Sequence, residues 1–187
     1  ILSLSFIPYR TSIYRKDTYG KEISETKGLK TKNDELNRQI GIYGLIRTNF
    51  LKRYESSVYS LLISIKRYKS NLEKFEDLLN KKGVLINLGD LNGLPEDLGS
   101  EIINLDDDKN IKAIISNGKK VDEKVFDIEA LKEDIQLENK VLKSLIEILE
   151  NIKDKKLEKF IKHVESIDRE NFKKILIFSF YSDTIEY

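Results

Sequence analysis

Val58-Tyr59-Ser60-Leu61-Leu62-Ile63-Ser64-Ile65-Lys66-Arg67-Tyr68-Lys69-Ser70-Asn71-Leu72-Glu73-Lys74-Phe75-Glu76-Asp77-Leu78-Leu79 is the stretch whose reading decides the fold. Its apolar residues Val58, Leu61, Ile65, Tyr68, Leu72, Phe75 and Leu79 recur at alternating steps of three and four. That spacing keeps one face of an α-helix apolar and leaves the other to Lys, Glu and Ser. Lys81, Lys82 and Gly83 supply a basic last turn and a C-terminal glycine. Upstream the rhythm continues through Leu36, Ile40, Tyr43, Arg47, Phe50 and Tyr54, with Asn33 or Asp34 as the cap. The pattern predicts one helix from 34 to 82, about 70 Å long at 1.5 Å per residue. Two steps of four meet between Phe50, Tyr54 and Val58, a stutter that locally unwinds a supercoil. Gly41 and Gly44 each weaken the helix by about 1 kcal/mol relative to alanine. They mark either close packing or a break into two helices.

A second seam follows at Leu131, Ile135, Leu142, Leu145, Leu149 and Ile152, with Glu138 interrupting it. It is expected to pack antiparallel on the long helix, making a coiled-coil-like helical hairpin. Asp154 opens another helix, with Leu157, Phe160, Ile161, Val164 and Ile167 inward. Between the arms, 84–127 is irregular. Val84–Leu88 and Ile111–Ser116 read as short strands and Asn117-Gly118 as a tight turn. Asp106-Asp107-Asp108 reads as a solvated turn, because the spacing and terminal Glu of a calcium loop are missing. Leu2, Leu4 and Phe6 alternate with serines as in a half-buried strand that Pro8 ends.

Composition narrows the chemistry. The net charge of +1 gives no global attraction to nucleic acid or to a membrane. With no cysteine there is no disulfide, thiolate metal site or cysteine nucleophile. His163 alone provides no imidazole cluster and no triad. No apolar run approaches the roughly 20 residues that span a bilayer, and residues 1–7 lack the basic flank of a signal peptide. The cytoplasm is the expected location, with no membrane partner. Tyr9, Tyr14 and Tyr19 are of a type that stacks on bases, though such residues more often pack in cores.

The chain closes with Lys174-Ile175-Leu176-Ile177-Phe178-Ser179-Phe180-Tyr181-Ser182-Asp183-Thr184. A continuous apolar run of this length reads as a buried parallel strand, and Asp183 or Thr184 as the N-cap of a following helix. A β-α unit is thus begun and not completed, which predicts a piece of a longer protein. The densest polar cluster is Arg47 with Lys52, Arg53, Glu55, Ser56 and Ser57 at the stutter. It is either a solvated helix face or a surface that meets phosphates or a neighbouring domain.

Arg47-Thr48-Asn49-Phe50-Leu51-Lys52-Arg53-Tyr54-Glu55-Ser56-Ser57-Val58, together with Lys174–Thr184, resembles the bacterial Swi/Snf-type superfamily 2 helicases. In that family a Leu-Lys-Arg-x-Glu-Ser-Ser helix lies between two RecA-like motor lobes, and a Lys-x-Leu-Ile-Phe-Ser strand opens the second lobe. Tyr54 stands where the family carries leucine. Asp127–Leu131 through Asp154–Leu157 is similar to the helices leading into that strand. The resemblance covers residues 36–187 with the middle insert unmatched. It implies a nucleic-acid-dependent ATPase, acting on DNA, that binds ATP and magnesium between its lobes. This chain carries neither the phosphate-binding lysine loop nor the acidic magnesium motif nor the late arginines. So the piece itself is expected to be inactive and free of cofactor.

Residues 1–33 read as an N-terminal strand and loop segment; by the resemblance, 34–172 is the helical protrusion with the irregular insert at 84–127, and 173–187 the start of the second lobe. Ser179 and Tyr181 would lie near the nucleic-acid backbone. Arg47, Lys52, Arg53, Glu55, Ser56 and Ser57 would dock on a motor lobe or on the duplex. Two other readings stand beside this one: a coiled-coil interaction or scaffold protein, and a stand-alone nucleic-acid-binding helical module. Near-neutral charge counts against the last.

Overall fold

The computed structural model describes residues 3–16, 34–85, 119–120, 122–167 and 174–187. The fold is mainly α. Its helices are α1 (Asp34–Ser56), α2 (Val58–Lys82), α3 (Ile128–Asn151), α4 (Lys155–Glu165) and the single turn α5 (Ser182–Ile185). Two-residue strands β1 (Val84–Leu85) and β2 (Lys119–Lys120) pair antiparallel, Val84 opposite Lys120. The expected Asn117-Gly118 turn, the Ile111–Ser116 strand, Asp106–Asp108 and Tyr19 lie outside the described residues.

The seam of α2 is as its spacing predicts. Leu61, Ile65, Tyr68, Leu72, Phe75 and Leu79 are all buried. Gly83 closes the helix in the left-handed region at φ 59°, where its N–H reaches the last-turn carbonyls. Leu131, Ile135, Leu142 and Leu149 of α3 face α2. The two run antiparallel: Lys66 meets Glu150 at 2.6 Å, and Asn139 donates to Glu76 one end further along.

The single long helix of the sequence pattern is corrected. The chain leaves helical geometry at Ser57, at the stutter and not at the glycines. Ser57 is extended at φ −158°, and its Oγ accepts from the Ser60 N–H at 3.0 Å. An extended residue with a serine oxygen on the N3 amide is an N-cap, so α2 starts afresh here. A Cβ at Gly41 or Gly44 would meet nothing within 4 Å, so neither glycine serves close packing.

The buried face of α1 is also rotated from the expected one. It runs Gln39, Ile42, Ile46, Phe50, Arg53 and Ser57, while Tyr54 is 49% exposed. The expected face assumed a strict heptad rhythm. That expected face carried the α2 seam upstream through the stutter; the break at Ser57 leaves α1 its own rotation, so the two faces share Phe50 and part on either side. Arg53, expected among solvated residues, therefore points inward.

The N-terminal strand is corrected as well. Residues 7–9 and 11–14 form 3₁₀ turns, and Phe6 is left-handed at φ 50°. The cause is Glu138. Its buried carboxylate accepts the N–H groups of Ser5 and Phe6 at 2.7 and 2.8 Å, and that of Ile7 at 3.3 Å. A strand points successive N–H groups to opposite sides, so one carboxylate can gather three in a row only from a turn. The left-handed residue costs roughly 1–2 kcal/mol, which these charge-assisted bonds offset. Phe6 then fills a box of aromatic rings, 5.1 Å from Phe50 and 5.0 Å from Tyr68. Gln39 holds Ser12 by two bonds, and the Tyr14 hydroxyl donates to Asp134 at 2.8 Å. Tyr9 and Tyr14 are thus core residues.

Helix α4 has an apolar face that no other element covers fully. None of its residues is buried, and Phe160 and Ile161 are 41% and 45% exposed. Residues 174–180 have no regular secondary structure and belong to no sheet among the described residues. The buried parallel strand expected here is absent among the described residues. A parallel strand needs neighbours on both edges and helices on both faces, and none of the described elements supplies them.

Candidate functional site: a junction of helix ends

Four helix termini converge around Ser57. Asp154 serves two of them. Its Oδ1 accepts from the N–H groups of Lys156 and Leu157, capping α4, and its Oδ2 accepts from Val58 N–H, the first residue of α2, at 3.4 Å. Lys156 serves the opposite end of α1. Its Nζ donates to the carbonyls of Glu55 and of Ser56, the latter at 2.8 Å. An acid on helix N-termini and a base on a helix C-terminus is the arrangement that helix dipoles favour.

The fourth terminus is α5. Thr184 Oγ1 shares hydrogen bonds with Ser56 Oγ at 2.8 Å and Ser57 Oγ at 3.1 Å, and Ser179 Oγ lies 3.4 Å from Ser56 Oγ. Arg53 Nη1 donates to Asp183 Oδ2 at 2.7 Å, with side-chain exposures of 4% and 13%. Ser60 Oγ accepts from the same nitrogen, and Arg67 stands 3.8 Å from the other Asp183 oxygen. The Arg53 guanidinium also lies over the Tyr181 ring, 4.6 Å from its centre. Tyr181 donates to Asn49 Oδ1 at 2.9 Å. Burial pushes the Tyr181 phenol above its ordinary range, partly opposed by Arg53.

The sequence reading thus grouped residues that do come together: Arg53, Ser56, Ser57, Ser179 and Tyr181. Lys52 and Glu55 line the cavity beside them, exposed. Arg47 is half-buried on α1 and does not line that cavity. Asn49, Ser60, Asp154, Lys156, Asp183 and Thr184 complete the junction and were not expected there. Asp183 and Thr184 were expected to cap the last helix. Instead that helix has no side-chain cap, and both side chains reach back to the α1–α2 break. The available signal was a second face at helical spacing, Gln39, Ile42, Ile46, Phe50 and Arg53, on which a buried guanidinium would require a carboxylate.

The cavity holds about 580 Å³ and lies between the end of α1, α4 and the tail. Its walls are mainly Leu157, Phe160, Ile177, Phe178, Ile185 and Tyr187. Tyr187 stacks on Tyr59 with ring centres 4.9 Å apart. These groups do not fit a nucleoside triphosphate with magnesium. The carboxylates of Asp154 and Asp183 are committed to backbone amides and to Arg53, and Lys156 to helix carbonyls. Among the described residues no group of His, Cys, Asp and Glu side chains is arranged to hold a metal. Nor, among the same described residues, is any helix long and apolar enough to cross a membrane. The junction fastens helix ends.

No protein-family model, curated protein or solved structure matches the chain.

Proposed function

We propose that this chain is the helical region joining the two motor lobes of a Swi/Snf-type superfamily 2 ATPase driven by DNA. In this reading α2 and α3 are the arms of a coiled-coil-like hairpin, and 174–187 begins the second lobe. The junction around Ser57 is then the seat of that lobe and not a contact to the duplex. One observation carries the reading. The two stretches of sequence that resemble the family, 130 residues apart at Arg53 and Asp183, meet in a buried ion pair. The Ser56-Ser57 pair and Thr184 meet beside it. Matching motifs that interlock are expected of a lobe fastened to its connector. ATP, magnesium, DNA and a cytoplasmic setting belong to the whole protein.

The reading frame around the gene tests this. Upstream it should encode a strand followed by a glycine-rich loop ending in Lys-Ser or Lys-Thr, and downstream further β-α units. A start codon directly before Ile1 with a stop directly after Tyr187 overturns the proposal. The 187-residue chain should show no ATP turnover above buffer, and real turnover would mean that a complete site lies within it.

A second reading, an interaction protein, draws on the uncovered apolar face of α4 and of 175–180. A frame confined to these 187 residues would favour it.

A further inference from the structure

Nothing in the covalent sequence obliges the chain to turn at Ser57. No glycine or proline lies between Leu45 and Lys82, and the apolar rhythm runs through the turn at Phe50, Tyr54, Val58, Leu61 and Ile65. Yet the turn is sharp. Phe50 and Tyr68 would stand about 27 Å apart along one joined helix at 1.5 Å per residue. Their rings lie 6.3 Å apart. So α1 folds back on α2, with Ile42, Ile46 and Phe50 buried.

Turning here breaks helix hydrogen bonds, and the freed groups have identifiable partners. Ser57 N–H still reaches the Arg53 carbonyl at 3.0 Å, and Leu61 N–H the Ser57 carbonyl at 3.3 Å. Between these two, a joined helix would pair Val58 N–H with Tyr54, Tyr59 N–H with Glu55 and Ser60 N–H with Ser56. In the corner Ser60 N–H goes to Ser57 Oγ and Val58 N–H to Asp154 Oδ2. The carbonyls of Glu55 and Ser56 take Lys156 Nζ. The serine belongs to the corner itself; the acid and the base come from the first turn of α4. Backbone groups freed without such partners would favour the joined helix.

We propose that Asp154 and Lys156 are a lock on the corner. With both in place, 34–82 is two helices folded together. Without them it joins into one helix, and α1 packs on α2 of a second copy. Such an exchange conserves the packing, because α1 and the N-terminal turns meet in the second copy the same faces that they leave in the first. A hinge of one residue between helices of compatible rhythm is the kind that permits it. Asp183 and Thr184 also touch both arms, but through side chains, and they leave the backbone groups of the break to α4. Since α4 buries no residue of its own, displacing its first turn releases both parts of the lock together. The lock stands on the corner alone and not on the motor reading.

Sedimentation velocity and one distance test it. The unaltered chain should be a monomer. Asp154→Ser keeps an N-cap for α4 and removes the second oxygen that Val58 uses. Combined with Lys156→Ala, it should give a dimer with unchanged helical circular dichroism. The chain has no cysteine, so spin labels can be placed at Leu45→Cys and Glu73→Cys, both exposed. Diluted into unlabelled chain of the same sequence, the pair should read less than about 25 Å in the closed corner and about 42 Å in the joined helix. Val58→Pro supplies the control. Proline suits the first residue of a helix after an extended one, but it has no N–H for Tyr54. Added to the double variant, it should restore the monomer and the short distance. A double variant that stays monomeric, pairs with the short distance or loses its helical signal would overturn the lock. So would an unaltered chain that already shows the long distance, or a dimer that survives Val58→Pro.

Discussion

α3 and α4 are consecutive amphipathic helices, yet they fare differently. α3 buries Leu131, Ile135, Leu142 and Leu149, whereas α4 buries nothing. The apolar pattern of α4 is no weaker, with Leu157, Phe160, Ile161 and Val164 on one side. What differs is the partner. α3 lies along the full apolar face of α2 and receives the N-terminal turns as well. α4 is fastened at its N-terminus by Asp154 and Lys156 and faces an open cavity and a bare tail. A period encodes a face; burial also needs something to cover it.

The largest effect should separate the two regions. Phe75 is 1% exposed on α2 and Phe178 is 88% exposed in the tail. Phe75→Ala removes a ring from a packed core and should cost about 4 kcal/mol. Phe178→Ala should change monomer stability by less than about 0.5 kcal/mol, as surface substitutions do. Urea unfolding measures both. Similar costs would mean that the tail face is covered after all.

Glu138 offers the next test, inside the better-packed region. Glu138→Ala leaves three backbone donors without their acceptor and should cost about 3 kcal/mol. The carboxyl is also raised above the ordinary glutamate range, because burial outweighs the opposing hydrogen bonds from the Phe6, Ile7 and Ser5 amides. A raised folded value means that the native state keeps the proton longer than the unfolded state does. The contribution of protonation is therefore complete below the ordinary glutamate range and is lost as pH rises through the folded value. Relative to Glu138→Gln, the unaltered chain should be most stable in acid and lose ground as pH rises through that window. A difference that grows with pH would show that the three amides outweigh burial.

The same contrast explains what the sequence disclosed. The α2 seam from Leu61 to Leu79 was legible because its period agrees with the stop at Gly83, and Leu131 to Leu149 was legible from its period. The rotation of α1 was not, since the break at Ser57 uncouples its face from the α2 seam that the reading continued upstream. Glu138 looked like an interruption because the amides that it accepts lie more than 130 residues away. Leu176, Phe178 and Phe180 looked buried because an apolar run states what a segment tolerates, not what surrounds it. At the junction, Arg53, Ser56 and Ser57 were found as a cluster, but Asp183 and Thr184 could be read locally as helix caps. A local role and a distant one leave the same letters.

A smaller effect is expected where the two regions meet. Arg53→Ala removes the partner of Asp183. Breaking a buried pair costs about 3–5 kcal/mol when the stranded charge stays buried. Here the tail can lift and rehydrate Asp183, so about 2 kcal/mol is expected, confined to the tail. Amide exchange should accelerate at Tyr181–Ile185 and stay unchanged in α2 and α3. Equal acceleration in α2 would mean that the tail belongs to the core's cooperative unit, and the comparison between regions would fail.

The smallest test compares glycines by what surrounds them. Gly44 lies within α1, where an added Cβ would meet nothing within 4 Å. Gly44→Ala should stabilise the chain by about 1 kcal/mol through helix propensity alone. Gly83 has equally open space, but its φ is 59°. Gly83→Ala should destabilise by about 1 kcal/mol, because an L side chain is strained in the left-handed region. Identical substitutions with equal room should therefore shift the midpoint of thermal unfolding in opposite directions. Shifts of the same sign would mean that backbone conformation does not distinguish the two positions.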